Sequence, residues 1–264
     1  MARRELFHLV DLCLLRSTDR LCLCVLPYGI RQLIKDFLGA LDNASIRTAV
    51  NLWCENREEA IARYGHISLW DTHRVTDMNK LFYKQQSLSR LFYYQQSFNE
   101  DISGWDVSKV TTLSHMLYGA KAFNQPLKDW DVSAVTTMMV MFCCANIFNQ
   151  PLSKWNVSSV TNMHLMFGFT RAFNQPLNDW DVSRVQSTYG MFCGTMAFNQ
   201  PLNQWNLTAV RDIYQMFGDT SAFNQPLVSW NVASIAQKQD VFKDAVAYRQ
   251  PETMAVWRAA GYAD

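Results

Sequence analysis

The chain has 264 residues, of which 49% are hydrophobic, and its 24 Lys and Arg residues nearly balance its 23 Asp and Glu residues. A chain of this length forms one large domain or two small ones, and its apolar content allows a substantial core. The near-neutral charge, with no basic run, argues against nucleic acid as a partner. No apolar run reaches the roughly 18 residues of a membrane-spanning helix, so we expect no membrane span.

Residues 1–42 begin with a stretch that resembles a signal peptide, in which two arginines precede an apolar run. His8 and Asp11 interrupt this run and no small-x-small cleavage site is present after it, so an intracellular location is favoured over a secreted or surface one. Farther on, the apolar spacing from Leu26 to Leu38 predicts a turn and an amphipathic helix. We expect this segment to form a hydrophobic cap on the rest of the chain, although its spacing also resembles the start of an F-box-type adaptor helix.

Residues 43–66 predict two short helices that cap the N-terminal end of the repeat region. In the first helix, Ile46, Val50 and Trp53 lie on one face. In the second, Asn56 is the N-cap, Glu59 stands at the capping-box position, and a glycine at 65 ends the helix.

A 25-residue repeat dominates residues 67–251, where five copies begin with FNQPL. Tryptophans mark the period at 105, 130, 155, 180, 205 and 230, and an earlier copy begins at Trp70, 35 residues before Trp105. The ten extra residues match a near-duplication, LFYKQQSLSR at 81–90 and LFYYQQSFNE at 91–100. A fixed period of this length predicts a solenoid, here of about seven coils, whose irregular copy must bulge.

Within one copy, the L-x-x-W-x-V spacing at 152–157 predicts a short strand. Apolar residues at Met163, Met166 and Phe167 predict a short amphipathic helix, with Thr161 as its N-cap. The predicted fold class is therefore an α/β repeat, a leucine-rich-repeat-like solenoid with one short parallel strand and one short helix in each coil. Glycines suited to a helix end with positive φ stand at Gly119, Gly168, Gly194 and Gly218.

An Asn-Gln pair recurs in register, from Asn124 and Gln125 to Asn224 and Gln225. We expect these amides to hydrogen-bond from coil to coil and to satisfy the backbone of the turns. Residues 252–264, preceded by Pro251, predict a closing helix, because an open end would expose the core.

The repeat W-[DN]-V-S-x-V-T-x-M-x-x-M-F-x-x-A-x-x-F-N-Q-P-L resembles the BspA-like leucine-rich-repeat surface protein family, whose domain of unknown function was first noted in mycoplasmas. The resemblance covers roughly residues 46–251 and includes the lead-in from Ile46 to Trp70. It implies a leucine-rich-repeat-like solenoid, the adhesion or protein-binding roles of the bacterial members, and no enzyme activity. The chain departs from those members in lacking a clear secretion signal or lipobox.

The chain contains none of the common catalytic motifs. Its five histidines form no H-E-x-x-H, and no Cys-x-x-Cys pair stands at zinc spacing. Glycine-rich phosphate loops and G-x-S-x-G are also missing. The seven cysteines are odd in number and none recurs in register, which predicts free thiols rather than a disulfide framework. We expect no enzyme activity, no metal and no cofactor.

Acidic pairs, Asp129 with Asp131 and Asp179 with Asp181, are the best candidates for a metal or hydrolase site. Acids two coils apart would be separated by roughly 10 Å. That separation is too large to share Ca²⁺, whose ligands lie at about 2.4 Å. We favour a solvated polar face on which Asp or Asn bonds the local backbone.

Two surfaces vary among the copies, and such positions can carry recognition in a repeat protein. An exposed aromatic column predicts a contact surface, but its residues could instead pack beneath the N-terminal segment or follow a different helix phase. The predicted strand face comprises Asp106, Asp131, Lys154, Asn156, Asp181 and Asn206. The predicted outward helix face comprises Tyr118, Met139, Val140, His164, Leu165, Phe169, Tyr189 and Tyr214.

These features together predict a non-enzymatic scaffold that binds a protein partner through its variable surface positions. Two alternatives remain within the binding class. One is a secreted or surface adhesin that contacts matrix or glycans through the polar face. The other is a structural subunit of a larger assembly that docks through the column from Met139 to Tyr214.

Overall fold

The computed structural model describes residues 28–83 and 97–262. Helices lie at the two ends of this span: α1 (Tyr28–Leu38), α2 (Asn43–Glu55), α3 (Arg57–Tyr64), a short 3-10 helix (Ile67–Leu69) and α4 (Pro251–Ala259). Across these two ranges, no helix combines the length and apolar character needed to cross a bilayer. The bounds of α1 to α4 confirm the predicted amphipathic helix, the two predicted N-terminal helices and the predicted closing helix as elements.

The N-terminal cap confirms the predicted N-cap and end of α3, but the reciprocal capping box expected at Glu59 forms on α2 instead, between Asp42 and Ser45. Asp42 is the N-cap of α2, and its carboxylate accepts hydrogen bonds from the backbone N–H groups of Ala44 and Ser45. The Asn56 side chain caps α3 by accepting from the N–H of Glu59, and Gly65 ends α3 at φ +72°. The predicted core face of α2, formed by Ile46, Val50 and Trp53, is buried.

The predicted fold class is wrong. The described chain contains no β-strand, and residues 98–250 contain no helix. What was expected to be a strand begins with a tight turn, in which the Trp155 N–H donates to the Leu152 carbonyl at 3.0 Å. What was expected to be a helix is a run of turns with positive φ at Leu165 and Phe169, four residues apart. An α-helix cannot contain such residues, since it requires φ near −63° throughout.

A backbone ladder replaces the predicted strands and helices as the link between coils. Within residues 163–169 every second N–H donates to a carbonyl 24 residues later. The Leu165 N–H, for example, lies 2.8 Å from the Tyr189 carbonyl, and the Phe167 N–H lies 3.0 Å from the Met191 carbonyl. Each coil also forms one isolated parallel bridge with the next, as Thr137 does with Asn162. Turns alternate with these bonds, so the repeat stacks without regular secondary structure.

Glycine placement was predicted only in part. Positive φ occurs at Gly119 and Gly194, but the glycines at 168 and 218 do not adopt it. In those copies the next residue, Phe169 or Asp219, takes the left-handed conformation. The backbone ladder thus imposes the conformation whatever side chain is present.

Tryptophans form the central column of the core. The rings of Trp155 and Trp180 are 6.5 Å apart and nearly parallel, and both are buried. The Trp155 indole N–H donates to the Leu127 carbonyl at 2.8 Å, which satisfies its one polar group inside the core. Two phenylalanine columns run alongside, and Phe142 and Phe148 stack between them at 4.2 Å.

The irregular first copy keeps the register of these columns. Trp70 stacks on Trp105 at 6.0 Å. Phe82 and Phe98, 16 residues apart, form the ring pair that Phe142 and Phe148 form six residues apart. The ten extra residues therefore enter between positions 82 and 98. The predicted bulge itself falls on 84–96, outside the described residues.

The coil-to-coil amide ladder is confirmed. The Asn149 N–H donates to the Asn124 side-chain oxygen at 3.0 Å, and the Gln150 side-chain amide donates to the Asn124 carbonyl at 3.1 Å. The same pair of bonds recurs up to Arg249 and Gln250, which donate to Asn224. This ladder joins the FNQPL turns of successive coils.

The closing helix α4 continues the tryptophan column. Trp257 stacks on Trp230 at 6.0 Å, although 27 residues rather than 25 separate them. Its indole N–H donates to the Leu227 carbonyl at 3.3 Å, as the other tryptophans do one coil earlier. The helix α4 therefore covers the last coil with a tryptophan, the residue type that stacks between the coils.

Candidate interaction surface

The polar residues predicted to form a strand face lie on or next to turns. The Asp106 carboxylate accepts from the N–H and the hydroxyl of Ser108 at 2.9 and 2.6 Å. Asp131, Asn156, Asp181 and Asn206 accept from the N–H two residues later in the same way, which confirms the expected bonding to local backbone. All of these residues are exposed, as is Lys154.

Electrostatics at this polar face follow from those local bonds. The hydroxyl and the backbone N–H of Ser183 donate to Asp181 and hold the pKa of its carboxyl below its usual value. A carboxylate engaged in this way is fixed by its own turn. Within residues 28–83 and 97–262, no group of three or more His, Cys, Asp or Glu side chains is placed to hold a metal ion.

The residues predicted to lie on a helix face belong to the backbone ladder instead, where they still form a column. We call Met139, His164, Tyr189 and Tyr214 the aromatic column. The His164 and Tyr189 rings stack at 4.4 Å with 5° between their planes, and the Tyr189 and Tyr214 rings stack at 5.3 Å. All four side chains are partly exposed. The column is therefore a surface feature of the stacked coils.

The backbone ladder sets the spacing of these rings. The N–H that comes after each column residue donates to the carbonyl of the next: Val140 to His164, Leu165 to Tyr189, and Gly190 to Tyr214. These three bonds are between 2.8 and 2.9 Å long. The column is thus held by main-chain bonds rather than by side-chain packing alone.

Two glycines make room for large neighbours of the column. A Cβ on Gly190 would lie 2.6 Å from the Leu165 side chain, and a Cβ on Gly194 would overlap the Phe169 ring. Phe169 is 43% exposed although it lies over Gly194. Leu165 and Phe169 therefore extend the apolar surface beside the column, whereas Val140 is buried and offers a partner little of its side chain.

Burial and hydrogen bonds set the charge state of the column. Partial burial lowers the pKa of His164, despite the opposing charge of Asp212, so the stacked imidazole is neutral near pH 7. A hydrogen bond to Asp240 raises the pKa of Tyr214. The column presents uncharged aromatic rings with polar atoms at their edges.

A second aromatic cluster adjoins the first coils and contains Tyr118, which was predicted on the outward helix face, together with Tyr83 and His115, which were not predicted. Tyr83 lies 5.2 Å from Tyr118 edge to face, and 6.1 Å from His115. Tyr83 and Tyr118 are 35 residues apart, like Trp70 and Trp105. Applying the same 35-residue offset to Tyr118 would have predicted Tyr83 as its neighbour.

The family follows from comparison with known proteins. Residues 54–176 and 152–257 match the family described as Mycoplasma protein of unknown function, DUF285. Together these matches span more than half of the 264 residues. The chain belongs to this family of repeat-containing domains. None of the curated proteins matches it, and none of the solved structures does either.

Proposed function

We propose that this protein is a non-enzymatic scaffold that binds a protein partner through the aromatic column. The observation that carries the proposal is the stack of His164, Tyr189 and Tyr214, whose rings remain partly exposed on a backbone that the ladder holds in place. A surface ordered before binding loses little conformational entropy on association. Aromatic residues are also enriched among the residues that dominate binding energy.

The chemistry of the column defines the kind of partner segment it would accept. Its rings and the adjoining Leu165 and Phe169 offer apolar contact, and the tyrosine hydroxyls offer hydrogen bonds at the edges. A segment that crosses three successive coils would span about 10 Å, at about 4.8 Å per coil. We propose a partner segment with apolar side chains and free backbone amides, lying along the coil axis.

The resemblance of the repeat motif to BspA-like proteins supports binding rather than catalysis. The family match establishes a repeat domain of unknown function, and the finer relationship is our proposal from the repeat motif. Intracellular location also stays a proposal. Asn156 and Asn206 are exposed sequon residues, and an N-glycan on either would favour the secreted adhesin instead.

Quantitative affinity purification tests the proposal. Met139→Asp with Tyr189→Asp should remove proteins that the native chain retains, while the thermal unfolding transition stays cooperative. Val228→Asp is the matched control, because Val228 is an exposed apolar residue outside the column, 44% exposed. If the double variant retains every protein that the native chain and the control retain, the column is not the binding surface.

A further inference from the structure

Two adjacent cysteines lie on the backbone ladder, outside the aromatic column. The Cys143 and Cys144 sulfurs are 3.8 Å apart. Their backbone is fixed, because the Cys144 N–H donates to the Gly168 carbonyl at 2.8 Å and the Cys143 N–H donates to the Val140 carbonyl at 3.3 Å. The two side chains therefore leave from a backbone that the ladder holds in place.

The two thiols differ in access. Cys143 is 5% exposed, whereas Cys144 is partly exposed at a position where φ is +62°. The equivalent position is Gly119 or Gly194 in two other coils and Phe169 or Asp219 in two more, so the Cys144 side chain projects from a left-handed conformation that glycine often supplies. A small reagent can therefore reach the Cys144 sulfur before the more buried Cys143 sulfur 3.8 Å away.

The two thiols also differ in acidity. A hydrogen bond from the Cys143 thiol, aided by the charges of Lys121 and Arg171, lowers the pKa of Cys144. The same hydrogen bond, together with burial, raises the pKa of Cys143. Thiolates near cationic side chains are the reactive form of cysteine.

We infer that Cys143 and Cys144 form a two-electron redox site, with Cys144 as the attacking sulfur and Cys143 as the resolving sulfur, that reacts with low-molecular-weight disulfides. The Cys144 thiolate attacks one sulfur of a disulfide such as oxidised glutathione. A bond forms to Cys144, and one glutathione thiolate leaves and takes up the proton that Cys144 had released. The Cys143 thiol then loses its proton, its sulfur attacks the Cys144 sulfur, and the second glutathione leaves with that proton. Two protein thiols are oxidised and one disulfide is reduced to two thiols.

Cys193 provides a matched control within the same chain. It occupies the register position of Cys143 two coils later, but its neighbour is Gly194 rather than a second cysteine. Burial and the charge of Asp219 raise the pKa of Cys193 to about 11. It should react with disulfides at least about tenfold more slowly than Cys144 at pH 7, because its thiolate fraction is far smaller.

Intact-mass and peptide mass spectrometry of the reduced full chain, treated with oxidised glutathione at pH 7, test the inference. The native chain and Cys193→Ser should lose two hydrogen atoms between residues 143 and 144, with no glutathione retained on either residue. Cys143→Ser should stop at one glutathione on Cys144, and Cys144→Ser should form neither product at this site.

Either of two results would overturn the inference. One is a native chain that keeps a stable glutathione adduct on Cys144, or that shows no reaction at Cys144 while Cys193 reacts. The other is loss of the hydrogens in Cys144→Ser. Thermal unfolding of each variant confirms that it is folded, and binding through the aromatic column is not involved in any of these readouts.

Discussion

The Arg47 guanidinium donates to the Asn79 carbonyl at 2.9 Å, at the end of the stack where the backbone ladder begins. The second nitrogen of the same guanidinium lies 3.4 Å from the Asp77 carbonyl and 3.2 Å from the Asp77 carboxylate. Most ladder bonds point the same way, since N–H groups donate to the next coil along the chain. The carbonyls of the first coil therefore have no preceding coil to donate hydrogen bonds to them. The Arg47 side chain of α2 donates to them instead.

Replacing Arg47 tests that capping role. Arg47→Ala should lower the free energy of unfolding by about 1–2 kcal/mol, a value kept small because the side chain is 38% exposed. Chemical denaturation measures the change. Arg184→Ala is the control, since Arg184 is exposed, and it should stay within about 0.5 kcal/mol of the native chain. Equal stability of the two variants would contradict the cap.

The opposite end of the backbone ladder should exchange its amide hydrogens quickly. The Phe242 N–H has no acceptor in the described chain, whereas the Phe217 N–H, one coil earlier, donates to the Val241 carbonyl at 2.9 Å. Native-state hydrogen exchange should therefore show strong protection at Phe217 and Phe167 and weak protection at Phe242. Similar protection at Phe217 and Phe242 would mean that the ladder continues into another segment.

Gly194 should tolerate no side chain while Phe169 covers it. Gly194→Ala places a residue at φ +65° and overlaps the Phe169 ring, so we expect a loss of about 2–4 kcal/mol. Adding Phe169→Ala should recover the steric part of that loss, giving clear non-additivity in a double-mutant cycle. Gly104→Ala is the control, because its nearest contact would be an ordinary 3.5 Å. Additive losses would show that the ring does not lie over Gly194.

Stability should fall as the pH falls from 7.5 to 5.5. Burial lowers the pKa of His66 below its ordinary value of 6.5, against the opposing charge of Glu100. The unfolded chain therefore binds the proton first, and stability present above pH 6.5 is lost as the pH falls toward the folded pKa. His164 and His115 act in the same direction. Unfolding free energies at several pH values measure this slope.

A His66 variant separates that residue from the other histidines. His66→Asn keeps an acceptor for the Ser68 N–H, which now donates to the His66 ring at 3.3 Å. The variant should lose part of the pH dependence between 7.5 and 5.5. An unchanged slope would assign the dependence to other groups.

Elements whose signals are local could be predicted from the sequence. Asn56, Glu59 and Gly65 mark α3 because capping depends on residues within one turn. The Asn-Gln ladder was predictable since amide side chains that recur every 25 residues come within hydrogen-bonding reach of one another in stacked coils. The tryptophan period likewise revealed the stacked coils and their core.

The conformation inside each coil could not be predicted. Apolar residues at Met163, Met166 and Phe167 have helical spacing, but successive four-residue turns bury the same positions. Positive φ falls on Leu165 and Phe169, residue types that give no sign of it. The alignment of the aromatic column does not depend on this error, because a 25-residue period aligns His164 with Tyr189 whatever the local backbone is.

The most direct test of the binding surface places a photo-crosslinking amino acid at one position of the full chain in its own cells. At Tyr189, in the middle of the aromatic column, irradiation should yield a discrete adduct with a protein partner. At Val228, which is exposed outside the column, the same amino acid should yield none. Adducts of the same kind at both positions, or none at Tyr189, would contradict the proposal that the column binds a partner.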